Sequence, residues 1–254
     1  MYATTGIDAF DVTICDPTAV PPAEERFCSE RVLHVPGSYL TFSVLYPVPD
    51  VAPPPSLTSG RVTFGCFCSQ YKMTDATLDA FAAILRGAPE AQLLIKNRTL
   101  GDPSCRTALQ ARFAQRGIAG TRVLLDGPAE HDAFLAAYAR VDIALDTIPY
   151  SAGTTAMEAL WQGVPVLTFN GDRWAMRTAR SLLLAAGLDA WCLPDRDAFV
   201  ARAIELARSP DTPAMLARLR AGMRDKVARS PACDSAALCR ALEGIYEKLA
   251  SEDL

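Results

Sequence analysis

VDIALDTIPYSAGTTAMEALWQGVPV, residues 141–166, joins a short apolar run to a loop and a helix start. Ile143-Ala144-Leu145 suits a strand buried in a parallel sheet, and Asp146 is the first polar residue at its carboxyl end. In the loop Pro149 fixes one φ angle, and Gly153 permits backbone geometry that a side chain would forbid. Thr154 or Thr155 then caps a helix in which Met157, Leu160 and Trp161 recur on one face. Gly163-Val164-Pro165 ends that helix and leads into the next apolar strand, Val164 to Thr168.

A loop of this kind leaves unpaired N–H groups at a helix start. With the helix dipole they favour a phosphate or a diphosphate, and the threonine hydroxyls add donors. Glu158 lies about one turn into the helix, suited to accept two hydrogen bonds from a ribose diol. The same spacing also fits two ordinary caps and an acidic residue that simply favours the positive helix end, and spacing alone leaves both open.

The pattern outward from this stretch is regular. Val62 to Phe67 reads as a strand, Thr74 or Asp75 caps a helix carrying Leu78, Phe81 and Leu85, and Gln92 to Ile95 is a second strand. Asp102-Pro103 opens a helix that stops at Gly117; Val123 to Leu125 is a third strand, and Phe134, Leu135 and Tyr138 mark the helix before Ile143. Downstream, a helix from Arg173 to Ala186 ends at Gly187, Trp191 to Leu193 is a short strand, and the remainder is helical: Asp195 to Arg208, Thr212 to Arg229 and Ser235 to Leu249. Strand–helix units repeating in this way predict an α/β fold with a doubly wound parallel sheet, whose ligands bind beyond the carboxyl ends of the strands.

Residues 1–46 do not make a domain of their own. Asp11 to Asp16 and Arg31 to Val35 read as two short strands around a proline-rich turn and an acidic segment, and such a pair must pack on something else. Residues 47–60, with Pro47, Pro49 and Pro53-Pro54-Pro55, form an extended connector, and residues 61–254 form the main lobe. His34 precedes the connector as a partly exposed strand residue rather than a catalyst.

With 254 residues, 50% hydrophobic and 21% charged, the chain buries one sizeable core. A net charge of −4 argues against a nucleic-acid surface, and the absence of an apolar run of membrane length and of a signal-like start places the chain in the cytoplasm, with no membrane partner. Most of the eight cysteines sit within apolar runs as small core residues. Cys66 and Cys68 stand one residue apart, but only His34 and His131 exist to complete a metal site, so none is expected.

The usual nucleotide fingerprints are missing: no GxGxxG follows the first strand of the main lobe, and there is no GxxxxGK[ST], GxSxG or HExxH. Ser69-Gln70-Tyr71-Lys72 follows it instead. Lys72 falls at the same sheet edge as Thr154 and Thr155, where an ammonium neutralises a second phosphate.

The segments VTFGCFCSQYKMTDATLDAFAAIL, GTTAMEALWQGVPVLTFNGDRWAMR and SLLLAAGL occur in that order. Over Arg61 to about Arg208 they resemble the carboxyl-terminal catalytic lobe of the O-linked N-acetylglucosamine transferase family, including its bacterial relatives fused to tetratricopeptide repeats. IDAFDVTICDPTAVPPAEERFCSERVLHVPGSYL resembles the end of that family's amino-terminal lobe, so residues 1–46 are read as its remnant. The resemblance implies a Rossmann-like lobe of a GT-B glycosyltransferase that transfers a sugar, typically N-acetylglucosamine, from a UDP donor to protein Ser or Thr. It further implies inversion, no obligatory metal, and no cofactor beyond the UDP-sugar.

By position it implies that Lys72 contacts the donor diphosphate as the catalytic cation, with Ser69 beside it. Gly153, Thr154 and Thr155 then hold the diphosphate at the helix start and Glu158 binds the uridine ribose; His131 stands near the uracil in place of the family's basic residue, with a helix-start histidine of no such role left open. Arg177 matches an arginine of the family, with a functional role and a helix-surface salt bridge both open. Ala152 replaces a frequent glycine, and its methyl is expected beside the phosphate. The family's acceptor-side residues belong to the amino-terminal lobe, and its repeats guide the protein substrate. The chain is thus read as a fragment, a truncated product, or a lobe that works beside that missing lobe or a repeat-containing partner. The alternative function is a non-catalytic nucleotide-binding or scaffold module.

Overall fold

In the computed structural model, which describes residues 3–252, two parallel sheets form. Residues 1–2 and 253–254, at the outer ends of the expected terminal segments, lie outside the described residues. The first sheet pairs β1 (Val12–Cys15) with β2 (Arg31–His34) in parallel. The second contains β3 (Thr63–Cys66), β4 (Gln92–Lys96), β5 (Val123–Asp126), β6 (Ile143–Leu145), β7 (Val166–Phe169) and β8 (Cys192–Leu193). Its order is β5-β4-β3-β6-β7-β8, and every neighbouring pair is parallel. Strands β3, β6 and β7 are buried at every position, which is why they read as unbroken apolar runs rather than alternating ones.

Strands β3 and β6 are the seam of the sheet. Phe64 lies opposite Ile143, and Gly65 lies opposite Ala144. From that seam the chain builds toward β5 on one side and β8 on the other, so the crevice at the carboxyl ends of β3 and β6 is where a doubly wound sheet opens to a ligand. Gly65 permits the close packing here, since a Cβ on it would lie 2.6 Å from both methyls of Val141.

The helices cover both faces of this sheet. They are α1 (Ser56–Ser59), α2 (Asp75–Gly87), α3 (Pro103–Ala114), α4 (His131–Ala136), α5 (Thr154–Trp161), α6 (Thr178–Ala185), α7 (Arg196–Arg208), α8 (Thr212–Ala228) and α9 (Ser235–Ser251). One core cluster joins Phe64, Leu94 and Ile143 of the sheet to Phe81 of α2, Leu160 of α5 and Phe199 of α7.

Three expectations are corrected. The connector is not extended throughout, because Ser56–Ser59 turn into α1. The buried Asp142 carboxylate accepts the N–H of Ser56 at 3.1 Å and that of Thr63 at 2.8 Å, fixing this turn to the start of β3. The helix expected from Arg173 is broken: Trp174–Met176 form one 3-10 turn, Arg177 leaves helical geometry at φ −108° and ψ 5°, and α6 begins at Thr178. Finally, β7 starts at Val166 rather than at Val164, because Gly163 takes a φ of +77° and Pro165 has no N–H for a ladder.

The amino-terminal strand pair is docked on α6. Asp16, fully buried, accepts the Ser181 hydroxyl at 2.5 Å and the Tyr39 N–H at 2.9 Å. Arg177 is buried and gives two hydrogen bonds to the Glu24 carboxylate, at 2.6 and 2.7 Å. Cys15, Ala19, Val20 and Trp174 make a second small core across this contact. Arg177 is therefore neither a helix-surface residue nor part of the crevice; it ties the first segment to the lobe. His34 sits part-buried at the end of β2 with Nε2 2.9 Å from the Val20 carbonyl.

Candidate functional site

Asp146 shapes the loop at the carboxyl end of β6. One carboxylate oxygen accepts the N–H groups of Thr147 at 2.8 Å and Ala152 at 2.7 Å; the other accepts the hydroxyls of Ser151 and Thr168, both at 2.6 Å. Burial still pushes this carboxyl above its ordinary value, against all four hydrogen bonds. Ser151 in turn accepts the N–H of Ala179 at 2.9 Å, so the loop is fastened to α6 as well.

The loop is also stitched to the start of α2. Thr74 caps that helix, accepting the Thr77 N–H at 3.2 Å, and both threonine hydroxyls donate to the Ile148 carbonyl. Lys72, which ends the 3-10 turn Gln70–Lys72, donates to the Ser151 carbonyl at 2.7 Å and lies 3.9 Å from the centre of the Tyr150 ring. An ammonium is thus held beside the loop by a carbonyl and an aromatic face.

At the start of α5 the threonines are not caps. Gly153 is the cap residue, without a side-chain bond, and Thr154 and Thr155 are the first two helical residues. Among the described residues the amides of these two threonines have no acceptor, which leaves two N–H donors directed out of the helix start. Gly153 takes φ −115° and ψ −94°, outside the main helical and extended regions, while a Cβ on it would make only an ordinary contact, 3.5 Å from Thr178. The Ala152 methyl is buried in the core and does not narrow the approach.

Further along α5, Glu158 is buried with Oε1 2.9 Å from Nε2 of His131, the first residue of α4. Burial raises the Glu158 carboxyl and the His131 contact opposes the rise. The Tyr46 ring meets His131 edge-on at 4.6 Å between centres.

A cleft of about 570 Å³ runs along this edge, lined by Ser69, Tyr71, Asn97, Arg98, Phe134 and Thr155 among others. A second, of about 550 Å³, shares Asn97, Arg98 and Phe134 with it and continues past Gly127 to Glu130. The structure thus brings Ser69 and Thr155 to one cleft, sets Lys72 against the loop that leads to Thr154, and pairs His131 with Glu158 on the same helix. Among the described residues no cluster of three or more His, Cys, Asp or Glu side chains is placed to hold a metal ion.

Sequence reasoning passed over several residues. Asp146 was visible only as a polar residue after a strand, although an acidic residue there followed by Thr and Ser is the signal of a carboxylate-centred loop. Phe67 stacking on Tyr138 at 4.3 Å, and Tyr138 donating to the Thr155 carbonyl at 3.0 Å, hold the start of α5 from beneath, and read simply as core aromatics.

The sequence model of glycosyl transferase family 41 matches residues 55–242. The chain belongs to that family. Among its relatives are the probable UDP-N-acetylglucosamine–peptide N-acetylglucosaminyltransferases SPINDLY of Petunia hybrida, 35% identical over 97% of this chain, and of Arabidopsis thaliana, 33% identical over 97%. An O-GlcNAc transferase mutant from Thermobaculum terrenum has a solved structure that superposes on 98% of this chain with a TM-score of 0.87 and 33% identity. Sucrose-phosphate synthase from Thermosynechococcus elongatus, at 15% identity and a TM-score of 0.59, shares the fold. The family 41 chain therefore has the Rossmann-like α/β lobe of the GT-B architecture. It spans 26% of the Petunia protein, 27% of the Arabidopsis protein and 46% of the bacterial one. No helix among its described residues is long and apolar enough to cross a membrane.

Proposed function

We propose that this chain is the donor-binding lobe of a glycosyltransferase that takes UDP-N-acetylglucosamine and passes the sugar to protein Ser or Thr with inversion. The observation that carries this reading is the meeting of two phosphate-compatible elements at one sheet edge: the free amides of Thr154 and Thr155 at the start of α5, and the Lys72 ammonium against the loop before them. A departing UDP leaves with negative charge on its diphosphate, and fixed N–H dipoles with one cation stabilise that charge without the cost of reorienting water. Lys72 is the catalytic cation in this scheme and stands where a metal would otherwise serve, so the reaction is read as metal-independent.

Ser69 adds a hydroxyl to the same cleft, and Gly153 leads the chain into the helix without a side chain. Glu158 accepts the ribose hydroxyls, which requires it to exchange the His131 contact for the sugar, and His131 is then free to face the base. Residues 1–46 are read as part of an amino-terminal lobe that supplies the acceptor side, with 47–60 as the connector and 61–254 as the donor lobe. A repeat-containing segment or partner would present the protein substrate. A cytoplasmic setting belongs to the same reading and fits the cysteine-rich, disulfide-free core.

Calorimetric titration of the purified chain with UDP tests the donor site. Binding should be present in the parent chain and weaker by about tenfold or more in both Lys72→Ala and Thr155→Ala, the loss expected for charge-assisted hydrogen bonds. A folded chain that takes up no UDP would leave a non-catalytic scaffold in its place.

A further inference from the structure

Tyr150 has no part in the donor scheme above, yet its ring lies against the cation on which that scheme depends. The Lys72 ammonium sits 3.9 Å from the centre of the Tyr150 ring, well inside the reach of about 6 Å over which a cation is drawn to a ring face. It also donates to the Ser151 carbonyl at 2.7 Å. Among the described residues Lys72 makes no ion pair with a carboxylate. Both of its partners are neutral, so the ammonium is held in place with its charge uncancelled.

The other lysines are held differently. Lys96 donates to the Gly127 carbonyl at 3.0 Å with the Asp126 carboxylate at 4.0 Å, and Lys226 donates to the Gly187 carbonyl at 2.6 Å. Among the described residues neither of these, nor Lys248, lies over an aromatic ring. The segment that carries the Tyr150 ring is pinned. The Thr147 hydroxyl donates to the Tyr150 carbonyl at 2.7 Å; Ser151, the next residue, gives its hydroxyl to Asp146 and its N–H to the Ala175 carbonyl. The Tyr71 ring, on the lining of the 570 Å³ cleft with Thr155, lies 6.0 Å from the Tyr150 ring between centres.

A lysine side chain is long and flexible, and an unheld one loses its rotamer freedom at the moment an anion arrives. A cation that is already fixed binds more tightly for the same contacts. A carboxylate would fix it too, but would cancel the field that an anion needs. A carbonyl and a ring face avoid that conflict: the ammonium has three N–H donors, and with one on the carbonyl there are donors left for a phosphate.

We propose that Tyr150 is a positioning residue, whose ring and the neighbouring Ser151 carbonyl hold the Lys72 ammonium ready for a phosphate without neutralising it. That the phosphate belongs to a nucleoside diphosphate rests on the function proposed above; the hold on the ammonium does not.

The test joins a spectroscopic reading of the contact to a binding series, both on the full chain. In the carbon–proton NMR spectrum the Hε protons of Lys72, assigned by their loss in Lys72→Met, should lie upfield of those of Lys226 and Lys248. Tyr150→Leu should return them to the common position. In calorimetric titration with UDP, Tyr150→Phe should stay within about twofold of the parent and Tyr150→Leu should bind about fivefold more weakly. Phenylalanines carrying one, two and three ring fluorines at position 150 should weaken UDP binding stepwise, because fluorine drains the negative ring face, with the thermal midpoint unchanged. In a Lys72→Met background Tyr150→Leu should lose nothing further, as a residue acting through the ammonium requires. Where that background binds too weakly to complete the cycle, the fluorinated series decides alone. Lys72 protons at the common position in the parent overturn the contact. Unchanged affinity in Tyr150→Leu, a flat fluorinated series, or a Tyr150→Leu loss that persists in full without Lys72 overturns the positioning role. A parent chain that takes up no UDP overturns the donor reading instead, and the Lys72 resonance still decides the contact.

Discussion

Asp146 organises the candidate site from a fully buried position. Its four hydrogen bonds hold the segment whose Ser151 carbonyl receives Lys72, so the substitution Asp146→Asn removes an acceptor from two buried hydroxyls at once. The expected cost is about 1–3 kcal/mol at neutral pH, read from urea unfolding. The pH dependence has a definite sign. Folding favours the protonated carboxyl, because burial raises its pKa; this contribution is full below the unfolded value near 3.9 and is lost as pH rises through the folded one. Asparagine carries no such proton, so the variant should show a flatter stability profile across that acid window. Glu158 offers a second residue-level test. Protonated, it keeps a carbonyl acceptor but can no longer accept at both oxygens from a ribose diol, so UDP affinity should fall as pH drops through its raised pKa. Titration across acid pH checks this, and Glu158→Gln should bind weakly with that acid limb absent.

Helix α5 shows what a sequence can and cannot declare about an element. Its position after β6 and its apolar face were legible, because Met157 and Leu160 repeat at helical spacing and are buried. Its cap was not: threonine is a common cap, and only the geometry reveals that Gly153 takes that position and frees both threonine amides. The break at Arg177 was hidden for a similar reason, since no proline or glycine marks it and the Arg177 side chain is held by Glu24, distant in the chain. The parallel sheet itself was readable because buried strands are continuous apolar runs. At the other end of α5, Gly163 takes φ +77° with the Cβ position 2.6 Å from Val51 and 3.3 Å from Arg220. Gly163→Ala meets both a left-handed backbone and a clash, so thermal unfolding should show a loss of about 1–3 kcal/mol. Gly153→Ala has neither problem at its Cβ and should be far milder.

For the molecule as a whole, the docking of residues 3–46 includes one asymmetric ion pair beside its buried hydroxyl contacts and its small apolar core. The Arg177 side chain is 4% exposed and that of Glu24 is 34% exposed, so removing the carboxylate strands a buried cation, while solvent at the other end moderates the loss. Glu24→Ala should therefore cost about 1–3 kcal/mol and speed proteolytic release of the amino-terminal strands while the six-stranded sheet persists. The seam between β3 and β6 has a different consequence. Lys72 follows one of its strands and Thr155 follows the other, with β4, β5 and three helices of chain between them. A cut in the exposed turn around Gly120 would part the protein into two pieces, each carrying part of the cleft lining, so on the proposed donor reading neither piece alone should hold UDP. If UDP is the donor as proposed, its retention should then report reassembly of the split halves, with the ligand itself rewarding correct pairing of the central strands.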